Sequence, residues 1–205
     1  MTKTSALTRV AAAALALSAL SAPLMAQTAE GPWLVRARAV HLEAANKDSI
    51  AITDVSINSK WMPEVDFTYF ITRNIAAELI LTYPQKQDVS SSAHGGKIGT
   101  LKHLPPTLTV QYHFLPEGQV RPYVGAGLNY TRFSSVSLPA GFSIEKSSWG
   151  PALQAGLDIP VAKNVYLNVD VKKVYIRTDL SANGTNLGTI KVDPVLFGIG
   201  IGYRF

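Results

Sequence analysis

Residues 198–205 read GIGIGYRF. Ile199, Ile201, Tyr203 and Phe205 fall at every second position, with Gly198, Gly200 and Gly202 between them. In an extended strand this alternation puts the large apolar residues on one face and the glycines on the other. A face of isoleucine, tyrosine and phenylalanine gains little from water. It suits a strand whose outer surface meets lipid.

The same period recurs upstream. Val35, Ala37 and Ala39 alternate with Arg36 and Arg38. Val65, Phe67 and Tyr69 alternate with Glu64, Asp66 and Thr68, and Leu79 and Leu81 with Glu78 and Ile80. Strands are expected at 33–42, 62–71, 75–83, 107–114, 122–132, 149–159, 165–176 and 191–205. A bulge is expected at Lys172 and Lys173, where the phase blurs. The segments between strands alternate in length: 44–60, 84–100, 134–147 and 180–189 are long, whereas 72–74, 115–119 and 160–164 are short. An even strand count with this rhythm puts every long loop at one end and both termini at the other. The fold class that follows is all-β, an eight-stranded antiparallel transmembrane β-barrel of the outer-membrane type. Its long loops are expected outside the cell and both termini in the periplasm.

The first 26 residues stand apart. Lys3 and Arg9 flank an Ala/Leu-rich uncharged run, Pro23 follows, and Ala26 offers a small residue for cleavage. Residues 1–26 therefore read as a secretory signal peptide and 27–205 as the barrel. Removing Lys3 and Arg9 lowers the formal charge from +5 to +3. No Lys/Arg cluster with interleaved aromatics appears, so nucleic acid is not an expected partner. The chain has no cysteine, and its four histidines (His41, His94, His103 and His113) make no metal spacing. No Ser-His-acid set is found, so no enzymatic activity and no cofactor are expected, and His103 reads as a structural histidine.

Several stretches resemble the OmpW family of small outer-membrane barrels, which is related to the alkane-import barrels. They are HLPPTLTVQYHF (103–114), RPYVGAGLNYTRF (121–133), SWGPALQAGLDIP (148–160) and GIGIGYRF (198–205), with weaker support from FTYFITRNIAAELI (67–80). The resemblance implies a narrow, partly apolar interior that passes small hydrophobic or amphipathic molecules. A sealed structural or receptor barrel is the alternative. The implied partners are the lipid bilayer and lipopolysaccharide, the outer-membrane assembly machinery and a small hydrophobic ligand. Tyr203 and Phe205 resemble the terminal assembly signal of outer-membrane proteins.

Strand parity assigns the lumen. Gly125, Gly127, Gly198 and Gly200 face inward, either leaving space or relieving strain in tightly coiled strands. Ile80 is expected to line the channel at mid-strand. Lys172 stands at an inward position where a large apolar residue is expected, as a counterion for Asp170 or for an anionic head group. Arg36, Glu78, Asp158 and Arg204 are expected to form a polar floor, since buried charges need partners. Pro105 and Pro106 cannot donate ladder hydrogen bonds. They are expected either to open a lateral gate in the wall or to lie harmlessly above the bilayer.

Overall fold

The computed structural model describes residues 30–44, 47–48, 55–91 and 96–205, so the expected signal peptide lies outside the described residues. All regular structure among them is β. In chain order the strands are β1 (Trp33–Glu43), β2 (Lys47–Asp48), β3 (Val55–Ile57), β4 (Lys60–Phe70), β5 (Ile75–Thr82), β6 (Gln85–Ser91), β7 (Gly96–Leu104) and β8 (Thr107–His113). They continue with β9 (Arg121–Ser137), β10 (Phe142–Ile144), β11 (Ser147–Ala162), β12 (Val165–Val174), β13 (Arg177–Ala182), β14 (Thr185–Lys191) and β15 (Val195–Arg204).

Eight of these close a barrel. The antiparallel order runs β1, β4, β5, β8, β9, β11, β12, β15 and back to β1. The closing pair runs in register from Leu34 opposite Arg204 to Glu43 opposite Val195. Closure gives each of the eight strands a hydrogen-bonded neighbour on both sides, as hydrocarbon demands. Short turns and the chain's C-terminal strand end share one rim, the terminus rim. The connections at the other, the hairpin rim, are themselves largely stranded.

That is the main departure from the sequence reading. The expected loop 84–100 contains β6 and the first part of β7, paired with each other. The expected loop 180–189 falls largely in the β13–β14 hairpin, which joins β10 and β2 in a separate four-stranded sheet. β9 and β11 also run well past their expected ends at 132 and before 149. One irregularity and two further boundaries need correction. No bulge occurs at Lys172 and Lys173, because the β11–β12 ladder stays regular there and shifts only between Pro160 and Ala162. The strand 165–176 ends at Val174. The strand expected at 191–205 begins at Val195, after a break in which Asp193 takes a positive φ of 32°.

The outward side chains form an apolar band. Phe67, Leu79, Leu108, Val110, Leu128, Val169, Ile199 and Ile201 are exposed, with Ile201 at 62%. Aromatic pairs border it. Trp33 and Tyr69 (ring centroids 4.8 Å apart), Tyr112 and Phe114 (5.1 Å) and Tyr203 and Phe205 (6.1 Å) lie at the terminus rim. His41 and Trp61 (5.1 Å) and Tyr130 and Trp149 (4.8 Å) lie toward the hairpin rim. An apolar belt between two aromatic girdles is the surface of a barrel in a bilayer.

Candidate functional site

The inward faces divide the lumen into layers along the barrel axis. Reading β1 inward from the terminus rim gives Leu34, Arg36, Arg38, Val40 and Leu42, all buried. Leu34 packs with Phe70, Ala76 and Tyr166 in a small apolar layer at the terminus rim. The two arginines anchor a charged layer. Val40 and Leu42 join Met62, Leu101, Phe133, Val174, Ile176 and Leu196 in a larger apolar cluster toward the hairpin rim.

The charged layer is an interlocked network. Arg36 holds Asp158 through two bonds, Nε to Oδ1 at 3.1 Å and Nη2 to Oδ2 at 2.6 Å. Its Nη1 donates to Asp66 Oδ1 at 3.0 Å and to Thr68 Oγ1 at 2.9 Å, and reaches Glu78 Oε1 at 3.5 Å. Arg38 donates to Asp66, to Glu64 Oε1 at 3.1 Å and to Glu78 Oε1 at 2.7 Å, with Asp170 Oδ1 at 3.3 Å. Lys172 Nζ lies 2.5 Å from Glu64 Oε1 and 3.0 Å from Asp170 Oδ1. Neutral groups add further bonds, although Arg38 Nε is left without a partner among the described residues. Tyr123 OH and Gln154 Nε2 each donate to Asp170 Oδ2 at 2.9 Å, Asn168 Nδ2 to Asp158 Oδ1 at 2.8 Å, and Thr109 Oγ1 to Glu78 Oε2 at 3.0 Å. Buried charges persist only when paired and hydrogen-bonded in this manner.

This layer gathers three of the four expected floor residues, Arg36, Glu78 and Asp158, and adds Arg38, Glu64, Asp66, Asp170 and Lys172. Arg204 stands elsewhere: its guanidinium lies 3.8 Å from the centre of the Phe70 ring and its Nε donates to Gly31 O at 2.8 Å. Lys172 sits inside the network on two carboxylates. Ile80 is buried between Glu78 and Thr82 on β5, opposite Asp66 of β4 and Thr107 of β8.

The inward glycines make room for this plug rather than for an open bore. A Cβ on Gly198 would lie 3.4 Å from Arg38 Cδ, and one on Gly125 would lie 3.1 Å from Gln154 Oε1. At Gly127 and Gly200 the constraint is the neighbouring strand, since a Cβ would fall 1.9 Å from Leu108 O and 2.1 Å from Ala37 O.

Pro105 and Pro106 join β7 to β8 at the level of the Tyr130–Trp149 girdle. Toward β9 the wall is continuous: Tyr130 N donates to Pro106 O at 3.0 Å, and Asn129 Nδ2 lies 3.2 Å from the carbonyl oxygens of both prolines. Toward β5 and β6 it is not. The β5–β8 ladder ends at Ile80 opposite Thr107, and the β6–β7 ladder begins at Gln85 opposite His103. Residues 81–84 and 104–106 therefore face each other with no registered pairing. Thr82 Oγ1, at this seam, is buried without a hydrogen-bond partner among the described residues.

Above the plug lies a cavity of about 20 Å³. Leu42, Leu101, Phe133, Ile176, Val192 and Pro194 give it apolar walls, and Gln87, His103 and Thr131 are its polar members. His103, on β7 above the girdle, is pushed down to about 4 by burial and secondarily by the Lys60 charge, so its imidazole is neutral. Sequence reasoning named neither Gln87 nor the apolar cluster. Among the described residues no group of three or more His, Asp or Glu side chains is arranged to hold a metal ion.

Comparison with known proteins agrees with this architecture. The OmpW family model matches residues 29–205. An outer-membrane protein of Sinorhizobium fredii is 39% identical, over 93% of this chain and 90% of that protein. The dibenzothiophene metabolism operon protein PahQ of Pseudomonas aeruginosa is 30% identical, over 92% of this chain and 95% of its own length. Among solved structures, the outer membrane protein OprG of Pseudomonas aeruginosa superposes with a TM-score of 0.71 at 27% identity, covering 86% of this chain and 97% of that one.

Proposed function

The chain belongs to the OmpW family of outer-membrane barrels, and from that premise we propose that it passes small hydrophobic or amphipathic molecules across the outer membrane. The hairpin rim faces the cell exterior and the terminus rim the periplasm. A molecule enters among the hairpins and partitions into the apolar upper lumen, driven by release of water from its surface. The charged layer stops it there, because an apolar guest cannot replace the partners those charges hold. Its exit is sideways, through the seam at Pro105 and Pro106 into the outer leaflet. The observation that carries this reading is the unpaired seam between residues 81–84 and 104–106, beside an apolar lumen that ends on a charged plug. PahQ, a relative named for a dibenzothiophene metabolism operon, fits an apolar cargo.

The double substitution Pro105→Val, Pro106→Thr restores two backbone donors: the one at 106 on the β9 side, where Pro106 O already accepts from Tyr130 N, and the one at 105 on the side of the seam. It should keep the barrel folded, with the new bond at the seam contributing about 1 kcal/mol, and should slow uptake of a labelled hydrocarbon at matched amounts of inserted protein. Undiminished uptake would remove the lateral exit. A sealed barrel, the second reading, draws on the extensive ion pairing of the plug and requires no uptake by either form.

A further inference from the structure

One feature of the upper cavity is not used by apolar passage. Gln87 is fully buried, and neither its Nε2 nor its Oε1 has a hydrogen-bond partner among the described residues. A stranded amide is destabilising where an apolar side chain of similar size would not be. Gln87 sits on β6 opposite Leu101 of β7 and lines the cavity beside His103 and Thr131. Thr131 Oγ1 is already engaged, 2.7 Å from Asn129 Oδ1. The cavity therefore presents a free donor and a free acceptor on one side chain, among apolar walls.

We infer that Gln87 is a specificity-determining residue that hydrogen-bonds the neutral polar head of a small, mostly apolar molecule in the upper lumen. The inference rests on the passage proposed above. A hydroxyl or carboxamide head suits it, since either can accept from Nε2 and donate to Oε1. An ionised head does not, because no Asp, Glu, Lys or Arg lines the cavity to compensate a buried charge. A plain hydrocarbon suits the walls and leaves the amide unpaired. The cavity has room for about one water. A larger guest must therefore displace the wall side chains, and in doing so it meets Gln87.

The test compares toluene with para-cresol, rings that differ by one hydroxyl. Uptake of each labelled probe is measured in cells with and without the protein at pH 7. The wild type should accelerate both, para-cresol about fivefold more, the worth of one net hydrogen bond. Gln87→Leu and Gln87→Met, each checked for insertion by heat-modifiable gel mobility, should lose that preference, so that the ratio of para-cresol to toluene acceleration falls to about one. Equal acceleration of both probes by the wild type, or a preference that survives in a folded variant, would overturn the role of Gln87 and leave passage standing. Acceleration of neither probe would overturn passage and this inference together.

Discussion

The charged middle of the lumen and the apolar layer above it are cut from the same strands, one or two inward positions apart. On β1, Arg36 and Arg38 give way to Val40 and Leu42; on β12, Asp170 and Lys172 give way to Val174; on β4, Asp66 and Glu64 give way to Met62. The two layers hold together by different physics. Every charged side chain in the middle has an oppositely charged partner, so removing one leaves another buried charge short of its counterion. The upper layer is held by burial of apolar area, which is non-directional and lets side chains repack around a guest. One barrel thus carries a rigid stopper beneath a deformable chamber. That pairing turns an eight-stranded barrel, too narrow for a water-filled pore, into a candidate path for apolar molecules.

The comparison is most exposed at Arg38. Its guanidinium contacts Glu64, Asp66, Glu78 and Asp170, and Arg38→Met leaves those carboxylates short of a partner. The expected loss is about 3–5 kcal/mol, read as a lower urea midpoint for the barrel in detergent micelles. A loss below about 1 kcal/mol, the range of surface pairs, would mean that water reaches the layer and the stopper is not dry. Ile176→Val probes the other side. Removing one methylene from the apolar cluster should cost about 1 kcal/mol and leave hydrocarbon uptake at least as fast, because the chamber has more room to deform. Slower uptake would show that close packing there guides the path.

The barrel was legible in the sequence because its outward face is continuously apolar against a mixed inward one, which gives period 2 its contrast. All eight barrel strands were located in this way. The contrast fails above the girdle. In β6, Gln85 and Gln87 point inward and Lys86 and Asp88 outward, so both faces are polar and hydropathy carries no period. Residues 84–100 consequently read as a loop, and Gln87 went unseen. The charges of the plug were legible by parity, but their partners were not. Arg36 meets Asp158 across 122 residues of chain, a pairing that strand order and register supply and local pattern does not. Arg204 is a second case: its inward face and its place near the strand end are legible, but its partners there, the Phe70 ring and Gly31 O, are not. Glycine was ambiguous for a related reason: only the neighbouring backbone tells Gly200, pressed against Ala37, from Gly198, which accommodates the Arg38 stem.

The central claim is that apolar molecules travel through the upper lumen and leave sideways, while the charged layer keeps the barrel closed to ions. Ion conductance and uptake of a labelled hydrocarbon, measured on the same preparation reconstituted in planar bilayers and in vesicles, test it most directly. The account predicts protein-dependent hydrocarbon uptake without steady ion conductance. A steady, salt-dependent conductance would contradict it by showing the plug to be open, and uptake no faster than in protein-free vesicles would contradict it by showing the upper lumen to be sealed.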